Sequence, residues 1–128
     1  MTRLLLGIDL TEVSRMSAVL DRWGERFLMR VFEPGELNRK RRHPRAFAEH
    51  VAGRFAAKEA AMKALGIGWR GLTFREITIR RDPRGKPIVL FQGRALARAE
   101  RLRVVSAEVS ITHTSETAAA VVALLTEE

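Results

Sequence analysis

The sequence predicts an α+β fold in which a mostly antiparallel sheet packs against a long helix. The two longest helical patterns lie in the first half of the chain, and neighbouring strand patterns dominate the second half. Because strands joined by short turns usually pair antiparallel, this order favours a sheet and helices that are segregated along the chain. The chain has 128 residues, 46% of them hydrophobic, so we expect a single domain over residues 1–128.

The first half contains a strand pattern, a helix pattern and a proline-bounded segment. The apolar run at residues 3–9 predicts a buried strand. Over residues 13–27 the apolar positions recur at spacings of three and four, which is typical of an amphipathic helix, although Gly24 could break it. Pro34 favours the first turn of another short helix, which must end before Pro44.

The strongest helical pattern covers residues 47–66 and ends at Gly66, a residue typical of helix C-termini. Lys58 lies inside its apolar stripe, where a solvated lysine is unexpected. Snorkelling along the lysine methylenes is the ordinary alternative to a functional role. Glu59 lies at the border of the stripe, one turn before Lys63, so an exposed ion pair is the ordinary interpretation of those two residues.

The second half predicts a hairpin, a short helix and two further strands. The hairpin strands are separated by the turn sequence Asp-Pro-Arg-Gly, and the last two strands are joined by Thr-Ser-Glu. In chain order the predicted elements are strands at residues 74–80 and 88–91, a helix at 95–103, and strands at 104–113 and 118–125.

Composition and charge exclude several classes of site. With no cysteine the chain has no disulfide, thiolate nucleophile or cysteine-ligated zinc, and its three histidines are too scattered for a histidine metal site. The formal charge of +8 and the pI of about 11.3 favour an anionic substrate or partner. We find no signal-peptide or membrane-span pattern, so we expect a cytoplasmic protein without a membrane partner.

Asp9 is the first candidate functional residue. It follows a run predicted to be buried, where a carboxylate is costly to desolvate unless a cation compensates it. The alternative is a cap for a helix that begins near Thr11. If Asp9 meets Glu59, the two carboxylates suit Mg²⁺, which prefers oxygen ligands and shares phosphate oxygens with its substrates, and Lys58 and Lys63 would neutralise the same phosphates.

Other candidates have ordinary explanations beside the functional ones. His113 shares the parity of the apolar positions of its strand, so a core histidine is the usual explanation, and Lys86 falls in a turn sequence. Arg15, Arg22 and Arg26 share one side of the first helix and form a basic ridge, which is either solvated or docks an acidic partner. The basic run at residues 39–42 suits a helix C-terminus.

Four motifs taken together carry a resemblance to a known family. They are GIDLTEVSR at residues 7–15, GRFAAKEAAMKALG at 53–66, GKP at 85–87 and VSITHT at 109–114. In this order and spacing they closely resemble the holo-acyl-carrier-protein synthases, a family of 4'-phosphopantetheinyl transferases. The resemblance implies an enzyme that moves the 4'-phosphopantetheine arm of coenzyme A onto a serine of an acidic apo acyl carrier protein and releases adenosine 3',5'-bisphosphate.

The resemblance also implies roles for individual residues. Asp9 and Glu59 match the Mg²⁺ carboxylates, and Glu59 is the candidate to accept the serine proton, directly or through a water. Asp9, Glu59 and Lys63 form the catalytic set. The coenzyme A contacts are Arg54, Lys58, Lys63, Lys86, Pro87, His113 and Thr114. The carrier-protein docking residues are Arg15, Arg22, Phe27 and Arg30.

The small members of this family resemble homotrimers with active sites between subunits. By that resemblance, the Asp9/Glu59 half and the Lys86/His113 half of one site would come from different chains. Two rival hypotheses are a basic nucleic-acid-binding module and a non-catalytic coenzyme A binder. The paired carboxylates argue against the first and the metal motif against the second, so we expect no nucleic-acid partner.

Overall fold

The computed structural model describes residues 1–39, 43–68 and 71–128. The chain order is strand β1, helices α1, α2 and α3, a 3₁₀ turn, strands β2 and β3, helix α4, and strands β4 and β5. Their bounds are β1 Thr2–Glu12, α1 Val13–Trp23, α2 Glu25–Val31, α3 Pro44–Leu65, the 3₁₀ turn Phe74–Glu76, β2 Ile77–Arg81, β3 Pro87–Phe91, α4 Gly93–Arg101, β4 Val104–His113 and β5 Thr117–Glu127. The predicted α+β class is confirmed.

All strand pairings among the described residues are antiparallel. One sheet has three strands in the order β1-β5-β4, and β2 and β3 form a separate hairpin. Because β5 lies in the middle, β1 pairs with the far end of the chain along its whole length, and Asp9 lies opposite Ala120. This pairing holds Asp9 in a rigid strand instead of a loop.

Helix α3 crosses the inner face of the three-stranded sheet at close range. Its sheet-facing positions are small residues, and the helix ends at Gly66 in the left-handed conformation with φ 70°. A Cβ at Gly7 of β1 would lie 1.8 Å from the carbonyl oxygen of Ala60, so only glycine permits this approach. The buried alanines of α3 are Ala48, Ala52, Ala56, Ala57, Ala60, Ala61 and Ala64.

One hydrophobic core cluster includes residues from α1 through β5, and the single domain over residues 1–128 stays a prediction. Its α3 members lie between the three-stranded sheet on one side and α1, α2 and strand β2 on others. No described helix is long and apolar enough to cross a membrane.

Two predictions about local structure were wrong. The first strand is not buried on both faces: Leu4, Leu6, Ile8 and Leu10 alternate along its outer face and are 60–67% exposed. The second error is the short helix at Pro34, since residues 34–37 form turns and bends. There the carboxylate of Glu36 bonds Lys58 of α3 and the backbone of β2, and these tertiary contacts override the local helix preference.

The helix break at Gly24 did occur. Gly24 has φ 48° and separates α1 from α2, so Arg22 and Arg26 of the basic ridge lie on different helices. Of the basic run at residues 39–42, Arg39 forms an ion pair with Glu25, and Lys40, Arg41 and Arg42 lie outside the described residues.

Candidate active site

A cavity of about 1100 Å³ lies where the end of β1 meets α1, α2 and α3. It is bounded on one side by the β4–β5 turn through Glu116 and Thr117. The lining residues that carry charge are Asp9, Glu12, Arg15, Arg45, Glu59 and Glu116. Acidic and basic side chains therefore share one open concavity, a composition suited to a charged substrate with a metal ion.

Asp9 and Lys63 are brought together by the close approach of β1 to α3. Lys63 Nζ donates to Asp9 Oδ1 and to the carbonyl oxygen of Ile8, each at 3.0 Å. The side chain of Asp9 is 12% exposed and that of Lys63 is 57% exposed. The helix-cap alternative for Asp9 is wrong, because β1 continues to Glu12 and the N-cap of α1 makes no side-chain hydrogen bond.

Glu59 faces the same cavity from α3. Burial raises the pKa of the Glu59 carboxyl, the negative charge of Asp9 raises it further, and Lys63 opposes the shift. Two carboxylates that disfavour each other's charge in a partly buried place are stabilised by a cation. The expected exposed Glu59–Lys63 ion pair is not observed, since Lys63 pairs with Asp9 and Glu59 is half-buried.

The donor set of this cavity fits a Mg²⁺ ion. Among the residues that the structure describes, no cluster of three or more histidine, cysteine or carboxylate side chains could hold a metal. Two converging carboxylates are nevertheless the number of protein ligands that Mg²⁺ commonly uses, since it keeps several waters and takes further oxygens from substrate phosphates.

Lys58 does not lie where the resemblance predicted. Its side chain is 0% exposed, and its Nζ donates to Glu36 Oε1 and to the carbonyl oxygens of Val31, Phe74 and Ile77 at 2.7–3.1 Å. A buried ammonium whose protons are all engaged cannot reach a phosphate in the cavity. The predicted contact between Lys58 and coenzyme A is corrected, and snorkelling is wrong as well.

Arg54 is also buried on α3, and it is absent from the cavity lining. Its contact with coenzyme A stays a prediction.

Lys86 and Pro87 line a different cavity of about 380 Å³ beside β4. Lys86 Nζ forms an ion pair with Glu108 Oε1 at 2.7 Å, which raises the pKa of Lys86 through the hydrogen bond and the charge of Glu108. This cavity shares no lining residue with the one that contains Asp9 and Glu59. Within one chain Lys86 and Pro87 are therefore separate from Asp9 and Glu59.

His113 and Thr114 lie at the end of β4. His113 is exposed, with Nδ1 3.6 Å from Glu49 Oε1, so the core-histidine explanation is wrong. The Thr114 hydroxyl accepts hydrogen bonds from the backbone N–H groups of Glu116 and Thr117, both at 3.1 Å, and shapes the β4–β5 turn. Their contact with coenzyme A stays a prediction.

The predicted docking residues divide between the cavity and the neighbouring surface. Arg15 and Phe27 line the cavity, and the Phe27 ring packs on Phe55 of α3 at 5.9 Å between centroids. Arg22 lies over the ring of Trp23 at 5.1 Å, and Arg30 is exposed on α2. The exposed arginines thus extend the charged surface outward from the cavity.

Sequence reasoning missed Arg45 as a cavity residue. Its Nη2 donates to the carbonyl oxygen of Ser115 at 2.8 Å, which places the guanidinium between α3 and the β4–β5 turn. The helical wheel could have identified it, because residues 45 and 59 are 14 positions apart and therefore point only about 40° apart around one helix. It was missed because the helix was predicted to begin at residue 47 instead of Pro44.

Three comparisons place the chain among known proteins. A family model described as the 4'-phosphopantetheinyl transferase superfamily matches residues 5–122. A holo-[acyl-carrier-protein] synthase of Solidesulfovibrio magneticus is 48% identical over 93% of this chain and 95% of its own length. A second synthase of that name, from Maridesulfovibrio salexigens, is 46% identical over 93% of this chain and 95% of its own length.

Solved structures share the fold. The holo-[acyl-carrier-protein] synthase of Helicobacter pylori in complex with coenzyme A matches with a TM-score of 0.80 and 29% identity, over 94% of this chain and 99% of that one. The holo-ACP-synthase of Plasmodium yoelii matches with a TM-score of 0.84 and 27% identity over 100% of this chain and 99% of that one.

Proposed function

Because the chain belongs to the 4'-phosphopantetheinyl transferase superfamily, we propose that it transfers the 4'-phosphopantetheine group of coenzyme A to a serine hydroxyl of an apo acyl carrier protein. The similarity to synthases of that name supports the reaction class. The observation that carries the proposal is the convergence of Asp9 and Glu59 on one cavity that the arginine-bearing helix α1 borders, with Lys63 bonded to Asp9.

In the proposed reaction the serine oxygen attacks the β-phosphorus of coenzyme A. The bond from that phosphorus to the bridging oxygen breaks, and adenosine 3',5'-bisphosphate leaves with the electron pair. Glu59 is the cavity carboxylate with a raised pKa, which brings its basicity closer to that required to accept the serine proton. Lys63, which is exposed and bonded to Asp9, offsets charge on the phosphates.

Asp9 and Glu59 are the residues that would hold Mg²⁺. When bound there, the ion would supply positive charge against the pyrophosphate oxygens. The Lys63–Asp9 ion pair, at 3.0 Å, orients the Asp9 carboxylate beside Lys63. That orientation is the contribution of the chain itself, and it depends on the glycine contact between β1 and α3.

An acidic carrier protein suits the charged surface beside the cavity. The chain has a formal charge of +8, and Arg15, Arg22 and Arg30 are exposed on α1 and α2. Opposite charges speed encounter and fix orientation more than they add affinity. Phe27, which lies half-buried at the cavity wall, offers an apolar contact at the centre of this basic surface.

We further propose a homotrimer with shared active sites. The outer face of the three-stranded sheet presents an apolar patch of Leu4, Leu6, Ile8, Leu10, Val105, Val121 and Leu125, all exposed in the single chain. An apolar patch of this kind marks an interaction surface. The separation of Lys86 from Asp9 and Glu59 also favours a site completed by a neighbouring chain. Sedimentation tests this, and a strict monomer would contradict it.

The cytoplasm is the compartment that this function and the absence of cysteine favour. The proposal includes no nucleic-acid or membrane partner. Salt-steep binding of DNA or RNA that is unaffected by substitution of Asp9 would support the rival binding module instead.

The direct test is incubation of the protein with coenzyme A, Mg²⁺ and an apo acyl carrier protein, followed by the intact mass of the carrier. The expected result is addition of one phosphopantetheine group. A carrier whose serine is replaced by alanine is the matched control and should gain no mass. An unmodified wild-type carrier after prolonged incubation would refute the assignment.

A further inference from the structure

A fully buried ion pair joins Lys58 of α3 to Glu36 of the loop that follows α2. Lys58 Nζ lies 2.9 Å from Glu36 Oε1, and both side chains are 0% exposed. The ammonium also lies within hydrogen-bond distance of backbone carbonyls in three other places: Val31 at the end of α2, Phe74 in the 3₁₀ turn and Ile77 at the start of β2. One side chain of α3 therefore connects three neighbouring elements.

Glu36 is engaged as completely as Lys58. Its Oε1 also accepts from the backbone N–H of Glu33 at 2.8 Å, and its Oε2 accepts from the backbone N–H of Ile79 at 2.9 Å. The carboxylate thus fixes the loop after α2 to strand β2. Burial lowers the pKa of Lys58 and the charge of Glu36 opposes that shift, so the two charges depend on each other.

The pair fixes the end of the helix that carries docking residues. Val31 is the last residue of α2, so no later N–H of that helix can donate a hydrogen bond to its carbonyl oxygen. Lys58 supplies the missing donor with a positive charge at the negative end of the helix. The next residue, Phe32, packs its ring 4.9 Å from the Lys58 ammonium. The position of α2 along α3 is therefore set at this joint.

The same stretch of α3 forms the cavity wall. Phe55 and Glu59, one turn apart, line the cavity, and Phe55 contacts Phe27 of α2. Lys58, about 100° away from Glu59 on the helix, points to the joint. Lys58, which anchors the joint, and Glu59, whose carboxylate faces the cavity, thus belong to one rigid turn of α3.

We propose that Lys58 and Glu36 are positioning residues that hold the carrier-docking helix α2 in register with Glu59. Neither residue touches substrate. The inference rests on the proposed function, and it adds that productive docking of the carrier serine requires this buried joint. A small displacement of α2 would move Phe27 and Arg30 relative to Glu59 without disturbing the phosphate-facing residues.

The test separates the KM for the carrier from the KM for coenzyme A. Glu36→Gln keeps the size of the side chain, removes its charge and leaves Lys58 its carbonyl acceptors, and Lys58→Met removes the ammonium. Each variant is assayed by carrier mass at a temperature where circular dichroism shows it fully folded. Leu124→Ala, a truncation of a fully buried residue on β5, is the control for lost stability alone.

The proposal predicts that Glu36→Gln and Lys58→Met raise the KM for the carrier by at least about tenfold, while the KM for coenzyme A changes less than about twofold. Hydrogen exchange at residues 25–31 should quicken in both variants and not in Leu124→Ala. If Lys58→Met does not fold, Glu36→Gln decides alone.

Three outcomes would overturn the proposal. A rise confined to the KM for coenzyme A would restore Lys58 as a phosphate contact. Unchanged KM values for both substrates, or changes equal to those of Leu124→Ala, would reduce the pair to a stability role. Absence of transfer by the wild-type protein is a different result, since it refutes the proposed function itself.

Discussion

Helix α3 presents two lysines, five positions apart, in opposite surroundings. Lys58 lies in a closed joint where its side chain is 0% exposed and bonded to Glu36 and three carbonyls. Lys63 lies at an open cavity, 57% exposed, and is bonded to Asp9 and the Ile8 carbonyl. The two side chains leave the helix about 140° apart.

This difference shows that residue type and motif do not set the role of a lysine; the elements packed on its side of the helix do. A buried ammonium needs every proton bonded, so it becomes part of the structure. An exposed ammonium beside a carboxylate keeps part of its surface in water and is available to phosphates. One side of α3 therefore holds the fold together, and the other is the side on which we place the chemistry.

The largest effect is expected from Glu59→Gln, which changes the side of α3 that faces the cavity. We expect transfer to fall by about 10²–10⁴-fold, because the amide is neither a base nor a good Mg²⁺ ligand. Thermal unfolding should remain near that of wild type, since Glu59 is only half-buried. Glu100→Gln, the same change on the exposed surface of α4, is the control. Wild-type turnover by Glu59→Gln would exclude Glu59 from the site.

The same substitution at both lysines measures the difference in stability directly. Lys58→Met should lower the free energy of unfolding by about 3–5 kcal/mol, because it leaves Glu36 charged and buried without its partner. Lys63→Met should change it by no more than about 1 kcal/mol, since that pair is partly exposed. Urea denaturation of the two variants gives both values, and equal losses would contradict the comparison.

The approach of β1 to α3 is tested by Gly7→Ala. The new Cβ would collide with the Ala60 carbonyl, so the strand must shift, at a cost of about 1–3 kcal/mol or more. Transfer should fall as well, since Asp9 moves with the strand. Gly68→Ala, where a Cβ meets nothing within 4 Å, is the control for stability. An active and fully stable Gly7→Ala variant would show that the contact is dispensable.

The smallest effect concerns Glu76, whose pKa shifts in the direction opposite to that of Glu59. Burial acts to raise the pKa of Glu76, but hydrogen bonds from Thr73 and Arg94 hold it below its ordinary value. A lowered pKa contributes stability that is present at neutral pH and is lost as the pH falls through the folded-state pKa.

Glu76→Gln should therefore lower the free energy of unfolding by about 1 kcal/mol at neutral pH and by less at a pH near 3, because the stability contributed by a lowered pKa is lost as the pH falls. Urea denaturation at the two pH values checks this. A difference that grows as the pH falls would reverse the assigned direction of the shift.

The fold class and the strongest elements could be predicted because they depend on local patterns. Helix α3, its end at Gly66 and the strand at residues 104–113 follow from local patterns, and all three are observed. The outer face of β1 was misjudged because an unbroken apolar run is equally compatible with one buried face or two. Only the placement of α3 on one side of the sheet decides it.

The site was predictable in part. The motifs named Asp9 and Glu59, and the structure brings both to one cavity. The role of Lys58 was not predictable, since its partner Glu36 lies 22 positions away in a loop and no periodicity links them. The helical wheel did identify Lys58 as misplaced for a solvated lysine. It could not distinguish a buried ion pair from a phosphate contact, because either role places a lysine within the apolar stripe.

The central claim, that Asp9 and Glu59 form a magnesium-dependent transfer site, is tested most directly by titrating Mg²⁺ against the rate of phosphopantetheine addition to the carrier. The account predicts no transfer in the presence of a chelator, saturable activation of the wild-type protein, and at least about a tenfold higher Mg²⁺ requirement for Asp9→Asn. Transfer at the full rate in chelator, or the same Mg²⁺ dependence in Asp9→Asn, would contradict it.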